Sequence, residues 1–94
     1  MKRQREWSYD EDLLVISTFS KRYKSDQWAD ILLDLTKEIK TSKASIRARI
    51  KSYNAFMLGR TDGLQDIESM DLAIKEVMSN QSLSKSKMSY ILEP

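Results

Sequence analysis

Three successive segments carry apolar residues at every third or fourth position, the spacing of one buried face of an α-helix. In chain order these stripes are Val15, Ile16, Phe19 and Tyr23; Trp28, Ile31, Leu32 and Leu35; and Ile46, Ile50 and Tyr53, continuing toward Met57. Glycine occurs only twice and proline once, too rarely for an all-β protein with many turns. The sequence therefore predicts an all-α fold.

The residues before the first stripe favour the start of a helix. Ser8 followed by Glu11 matches the capping box, in which each side chain bonds the other residue's backbone N–H. Asp10, Glu11 and Asp12 place negative charge near the positive end of the helix dipole. We expect these carboxylates to stabilise the helix start rather than to act in catalysis.

The second and third stripes have their own boundary signals. Ser25 or Asp26 is expected to cap the second helix, and Ser42 the third. Residues 36–41 are expected to form the connection between the two helices. Both glycines of the chain fall in residues 59–63, which predicts the clearest break in the sequence.

Beyond this break the apolar spacing predicts one or two further helices. The apolar residues of the fourth helix are Leu64, Ile67, Met70, Ile74, Val77 and Met78. The serine-rich residues 79–86 predict a loop or a fraying helix end, and Met88, Ile91 and Leu92 a short terminal helix. Two alternatives stay open for the fourth helix: it packs on its own three-helix core, or it pairs with a second copy as a homodimer.

The residue types that the chain lacks exclude several kinds of site. Without cysteine or histidine there is no disulfide, no structural zinc site of Cys and His, and no histidine acid or base. The longest apolar run, residues 13–16, is far too short to span a membrane. Asp62, Asp66 and Glu68 do not converge well on one metal ion. We predict a protein that is not an enzyme and needs no cofactor, metal, membrane or small-molecule ligand.

Charge is distributed unevenly although the net charge is only +2. Residues 1–60 contain 13 Lys/Arg against 8 Asp/Glu, whereas residues 61–94 contain 3 against 6. Four polar residues of the third helix lie away from its apolar stripe, again at helical spacing: Lys43, Arg47, Lys51 and Asn54. This pattern is typical of a surface that meets phosphate, although a solvated helix face is the plainer alternative.

Several short patterns together resemble a Myb/SANT-type repeat. The family's opening W-[ST]-x-[ED]-E-D is similar to Trp7-Ser8 followed by Asp10-Glu11-Asp12, and its second-helix pattern W-x-x-I-A-x-x-L is similar to Trp28-x-x-Ile31-Leu32-x-x-Leu35. Its third-helix pattern T-x-x-Q-V-x-x-R-W is similar to Ser42-x-x-Ser45-Ile46-x-x-Arg49-Ile50. The chain departs from the family at Ser45, at Ile50 and in lacking a glycine before the third helix. The resemblance, over residues 7–53, implies a three-helix bundle containing a helix-turn-helix, with both tryptophans in its core.

The resemblance also implies which residues meet DNA. The third helix would lie in the major groove, with four residues against the bases: Ala44, Arg47, Ala48 and Lys51. Arg47 would read guanine, and the two alanines would allow close approach and contact thymine methyl groups. Lys40, Lys43 and Asn54 would bind phosphates. Arg49 would form an ion pair with Glu11 or Asp12 instead.

The predicted organisation has three parts. Residues 1–6 form a flexible basic arm, in which Arg3 and Arg5 would enter a minor groove or remain solvated; residues 7–58 form the Myb-like DNA-binding domain; residues 64–94 form a helical extension. The predicted function is double-stranded DNA binding by a small transcriptional regulator or accessory factor, cytoplasmic in a bacterium or phage and nuclear in a eukaryote. The alternative is a SANT-like protein-interaction module that does not bind DNA, which the basic third helix disfavours.

Overall fold

The computed structural model describes residues 6–93, and these residues form five α-helices and no β-strand. The helices are α1 (Tyr9–Arg22), α2 (Trp28–Ile39), α3 (Lys43–Met57), α4 (Ile67–Gln81) and α5 (Lys85–Leu92). The predicted all-α class is confirmed for this part of the chain. None of these helices is long and apolar enough to cross a membrane.

Helix α1 begins as its sequence predicts. The Ser8 hydroxyl accepts from the Glu11 backbone N–H at 3.2 Å, and the Glu11 carboxylate accepts from the Ser8 N–H at 3.2 Å. Val15, Ile16 and Phe19 are fully buried. The capping box thus sets where α1 begins, and the apolar stripe of α1 is buried as its spacing predicts.

The predicted start of α2 is wrong. Its N-cap is Gln27, whose side chain makes no capping hydrogen bond, rather than Ser25 or Asp26. The Asp26 carboxylate instead accepts from Arg22 Nε, and the Asp26 N–H bonds the Arg22 carbonyl at 2.9 Å. Asp26 therefore closes the end of α1 instead of opening α2.

The connection between α2 and α3 is also shorter than predicted, because α2 continues through Ile39. Only Lys40, Thr41 and Ser42 separate the two helices. Lys40 has a φ of 61°, a left-handed conformation that glycine adopts with less strain. Lys40 therefore adopts the conformation that a glycine would favour at this position, where the chain has no glycine. Ser42 caps α3 as predicted, with its hydroxyl accepting from the Ser45 N–H at 3.1 Å.

Helix α4 packs along α1 and runs parallel to it. Near the start of both helices, the Ser69 hydroxyl donates to Asp12 at 2.7 Å; near their ends, Gln81 Nε2 donates to the Ser20 hydroxyl at 2.8 Å. The apolar face of α4 is buried in this contact through Met70, Ala73, Ile74 and Val77. Of the two alternatives for this helix, the structure shows packing within its own chain.

Helix α5 completes the same hydrophobic core. Residues 79–86 are more ordered than predicted: α4 reaches Gln81, Ser82 ends it in the left-handed conformation, and Ser84 caps α5. Met88, Ile91 and Leu92 are buried, and α5 lies against both α1 and α3. The C-terminal residues therefore share one core with the first three helices.

A candidate nucleic-acid interface on the third helix

Helix α3 has two faces of opposite character. Ile46, Ile50 and Tyr53 are buried, as their spacing predicts. Five residues on the other side are exposed: Lys43, Ala44, Arg47, Ala48 and Lys51. Because successive helical residues are about 100° apart, spacings of three and four residues gather these five into one surface. We call this set the exposed face of α3.

The cations on this exposed face are not neutralised within the described chain. Among residues 6–93 no carboxylate forms an ion pair with Lys43, Arg47 or Lys51. Two other exposed or half-buried basic side chains are paired: Arg22 contacts Asp34 at 2.9 Å, and Lys75 contacts Asp71 at 3.1 Å. The positive charge of α3 is therefore available to an anion from outside.

The opposite side of α3 carries a buried ion pair. Arg49 Nε donates to Asp12 Oδ1 at 2.8 Å and Arg49 Nη2 to Asp12 Oδ2 at 2.7 Å. Both side chains are almost completely buried, with 3% and 0% exposure. This two-bond geometry suits a planar guanidinium and a carboxylate. The prediction that Arg49 pairs with an acid of the first helix is confirmed, with Asp12 as the partner.

Further hydrogen bonds complete this pair. The Tyr53 hydroxyl donates to Asp12 Oδ1 at 2.5 Å, and the Ser69 hydroxyl donates to Asp12 Oδ2. Arg49 also donates to the carbonyls of Gln65 at 2.7 Å and Asp66 at 3.1 Å. A buried ion pair is tolerated when its remaining hydrogen-bonding groups are satisfied in this way. The network joins α1, α3 and the start of α4.

Burial and charge change the ionisation of this network. Burial raises the pKa of Tyr53 well above its ordinary value of 10.0, and the negative charge and hydrogen bond of Asp12 raise it further. For Arg49, burial lowers the pKa, but the hydrogen bonds and charge of Asp12 outweigh burial and leave it raised. The ion pair and the neutral tyrosine thus hold α3 in one rotational setting, which decides which face of α3 is exposed.

A shallow hollow of about 390 Å³ lies on one side of the exposed face. Trp28, Ile50 and Leu92 contribute apolar atoms to it, while Arg47 and Lys51 line it with charge. Trp28 is half-buried and packs against Phe19, with ring centroids 5.0 Å apart. Its Nε1 has no hydrogen-bond partner among the described residues. Unlike Trp7, Trp28 is therefore not the member of the buried core that the resemblance implies, but packs against the core at the edge of the exposed face.

A second hollow of about 380 Å³ lies on the other side and also includes Ala48. Its further lining residues are Trp7, Ser45, Arg49, Ser52, Gly63 and Gln65. Trp7 is buried, as predicted for a core tryptophan, yet it still reaches this surface. The N-terminal end of the described chain therefore lies beside α3.

The remaining predicted site residues have different settings. Lys40 is exposed in the turn before α3. Asn54 is half-buried, and its Oδ1 accepts from the Ser89 hydroxyl of α5 at 3.3 Å. Asn54 thus contributes to internal packing, unlike Arg47 and Lys51. Arg3 and Arg5 lie outside the described residues.

Sequence reasoning missed the contribution of Gln65, Asp66 and Ser69. The Asp66 carboxylate accepts from the Trp7 backbone N–H at 2.9 Å, across 59 positions of sequence. No local pattern announces such a contact, because Asp66 and Ser69 look like ordinary polar residues at a helix start. The only hint in the sequence was the cluster of acids around Asp12 without a basic residue close by, which indicated that Asp12 needs partners from a distant part of the chain.

The chemistry of the exposed face is that of binding anions. Guanidinium and ammonium groups donate hydrogen bonds to phosphate oxygens and base edges, and exposed alanines permit close approach. Within residues 6–93 no three acidic side chains are grouped so as to hold a metal ion. Comparison of the chain with protein-family models, curated proteins and solved structures returned no match.

Proposed function

We propose that this protein binds double-stranded DNA by placing α3 in the major groove, as a small transcriptional regulator or an accessory factor for DNA transactions. The observation that carries the proposal is the exposed face of α3, where Lys43, Arg47 and Lys51 have no ion-pair partner among residues 6–93 and surround two alanines. Cations without internal partners, on a helix whose alanines let it come close to DNA, are suited to bind phosphates and base edges.

The arrangement of α2 and α3 supports a Myb/SANT-like helix-turn-helix. Three residues connect the helices, α2 packs against α3, and the Arg49–Asp12 pair fixes the rotation of α3. In this proposal Arg47 forms paired hydrogen bonds with guanine O6 and N7, Lys51 reaches a base or phosphate, and Lys40 and Lys43 bind phosphates. Asn54 has a lesser part because Ser89 already engages it.

A second candidate function is binding of a protein partner through the same surface. The hollow beside Trp28 and Leu92 favours it, because an apolar depression with a basic edge suits an apolar side chain flanked by carboxylates. The exposed face of α3 nevertheless favours DNA over this alternative, because its cations have no ion-pair partner among the described residues. The two functions are separable, since only DNA binding depends on the counterions released from a duplex.

The test is fluorescence anisotropy of a labelled mixed-sequence duplex at about 50 mM and 200 mM salt. Wild type is expected to bind with a strong salt dependence. Arg47→Ala is expected to cost about 1–3 kcal/mol and to relax base preference, whereas Lys51→Ala weakens binding to all sequences.

The control is Lys75→Ala, since Lys75 is exposed on α4 and its charge is already paired with Asp71. This variant should bind as wild type does. Absence of salt-dependent binding by wild type would exclude the proposal, and so would equal losses in Lys75→Ala and Arg47→Ala. Binding of an acidic protein partner but no duplex would favour the second candidate.

A further inference from the structure

The hollow beside Trp28 and Leu92 is built by three separate helices. Trp28 begins α2, Ile50 lies on α3, and Leu92 ends α5. We call this depression of about 390 Å³ the Trp28 hollow. Its volume falls within the range of about 300–1,000 Å³ that is typical of small-molecule sites. Local sequence patterns did not predict a ligand here, because distant parts of the chain supply its apolar walls.

The apolar part of the Trp28 hollow is held in place by the core. Ile50 is 3% exposed and Leu92 is fully buried, so both are packed among other core residues. Trp28 packs against Phe19, with ring centroids 5.0 Å apart. Close-packed side chains of this kind keep a defined position. An apolar group that enters the hollow therefore leaves water without first having to reorganise the protein, which favours binding.

The polar part of the Trp28 hollow is positively charged. Arg47 and Lys51 line it, and neither has an ion-pair partner among residues 6–93. Asn54 lines it as well, and because its Oδ1 accepts from Ser89 at 3.3 Å, its Nδ2 remains as a further donor. No acidic side chain of the described residues lines the hollow. Its polar groups therefore suit the oxygens of an anion.

We propose that the Trp28 hollow binds a small organic carboxylate with a flat apolar body. The apolar body lies against Trp28, Ile50 and Leu92, and the carboxylate accepts hydrogen bonds from Arg47 and Lys51. The guanidinium of an arginine matches a carboxylate because it donates two parallel hydrogen bonds. A few donors at the edge of an apolar depression are the usual arrangement that orients a small ligand.

The carboxylate and a DNA duplex compete for the same two cations. Arg47 and Lys51 cannot bind bases or phosphates while they hold the carboxylate, which also adds negative charge to the exposed face of α3. By linkage, the duplex lowers the affinity of the carboxylate by the same factor as the carboxylate lowers that of the duplex. This competition rests on the proposed function, whereas binding of the carboxylate itself does not.

The test uses cinnamate as the probe and NMR of the isotope-labelled full chain. The two tryptophans give separate indole N–H resonances: Trp28 lines the Trp28 hollow, whereas Trp7 lines the second hollow and serves as an internal control. Cinnamate is expected to shift the Trp28 resonance alone, with a Kd of about 1 mM or lower for a ligand of this size. Neutral cinnamamide, which has the same shape, should bind about tenfold more weakly because it lacks the charge.

A pair of variants tests which side chains hold the carboxylate. Arg47→Ala is expected to weaken cinnamate binding about tenfold, as for the loss of a charged hydrogen bond. Lys43→Ala is the matched control, because Lys43 is exposed on the same face of α3 but does not line the hollow. It should weaken duplex binding and leave cinnamate binding unchanged. Equal binding of cinnamate and cinnamamide, equal shifts of both indole resonances, or equal losses in the two variants would overturn the proposed site.

Anisotropy of a labelled duplex tests the competition. With cinnamate at about ten times its Kd, the duplex affinity of wild type should fall about tenfold. Sodium acetate at the same concentration controls for the added salt and should have a much smaller effect. Undiminished duplex binding in the presence of bound cinnamate would overturn the competition. Duplex binding without cinnamate binding would refute this inference alone, whereas cinnamate binding without duplex binding would refute the proposed function and support the carboxylate site.

Discussion

Arg47 and Arg49 are two residues apart on the same helix and have opposite settings. Arg47 is exposed and has no ion-pair partner among residues 6–93, whereas Arg49 is 4% exposed and makes two hydrogen bonds to Asp12. Two helical steps rotate a side chain by about 200°, so neighbouring arginines face opposite directions. Residue type alone therefore does not define a binding role on α3, because the position of an arginine relative to the apolar stripe decides whether it is buried or exposed.

The exposure of Arg47 depends on Arg49, but the burial of Arg49 does not depend on Arg47. Arg49 and Tyr53 set the rotation of α3 through Asp12, and this rotation presents Arg47 to the outside. Arg47 contributes nothing comparable to the core. Substitution on the buried side should therefore reduce both stability and binding, whereas substitution on the exposed side should reduce binding alone.

The largest expected effect is the loss of stability in Arg49→Ala. Removing the guanidinium leaves the Asp12 carboxylate buried and without its opposite charge, which costs about 3–5 kcal/mol of unfolding free energy. Urea denaturation followed by circular dichroism measures it. Arg47→Ala is the matched control and should stay within about 0.5 kcal/mol of wild type. Similar losses in the two variants would abolish the distinction between the faces.

The next effect concerns Tyr53, whose hydroxyl donates to Asp12. Tyr53→Phe is expected to lower the unfolding free energy by about 1.5–3 kcal/mol near neutral pH, the range for a hydrogen bond to a charged group. Denaturation at pH 7 measures this loss. Tyr90→Phe is the control, because its hydroxyl lies on an exposed side chain, and it should change stability little.

The same pair of variants tests pH dependence. Because the pKa of folded Tyr53 is raised above its ordinary value of 10.0, the unfolded chain releases this proton first. The stability linked to Tyr53 is therefore complete below pH 10 and is lost as pH rises toward the folded pKa, at up to about 1.4 kcal/mol per pH unit. Denaturation from pH 9 to 11 should show a steeper decline in wild type and Tyr90→Phe than in Tyr53→Phe. An equal decline of unfolding free energy with pH in all three proteins would show that the fold does not raise the pKa of Tyr53.

The smallest expected effect has opposite signs for stability and binding. Lys40→Gly relieves the left-handed backbone at φ 61° and should stabilise the fold by about 0.5–1 kcal/mol. It also removes a proposed phosphate contact and should make the salt slope of DNA binding about 0.9 less steep. Thermal denaturation and salt-dependent anisotropy measure the two changes. A loss of stability, or an unchanged salt slope, would contradict the role assigned to Lys40.

Much of the fold follows from local sequence patterns. The stripes of α1, α2 and α3, the capping box at Ser8 and the cap at Ser42 each involve residues within one or two helical turns, so their physics is visible in a short window. The exposed face of α3 follows from the same periodicity. The errors lie at helix boundaries: Asp26 bonds back to Arg22, and Lys40 adopts a conformation for which glycine was expected.

Local sequence patterns were enough to predict the amphipathic character of the first three helices and the basic face of α3, but they left open whether one or two helices follow. The pairing of Arg49 with an acid of α1 was implied by the Myb/SANT-like pattern. The tertiary contacts were needed to show that α4 packs parallel to α1, that Ser89 engages Asn54 and that Asp66 accepts from Trp7. The physical reason is the sequence separation over which each kind of interaction acts. Periodicity and capping act over a few residues, whereas the bonds from Ser89 to Asn54, from Trp7 to Asp66 and from Gln81 to Ser20 join positions 35, 59 and 61 residues apart and depend on how whole apolar faces pack.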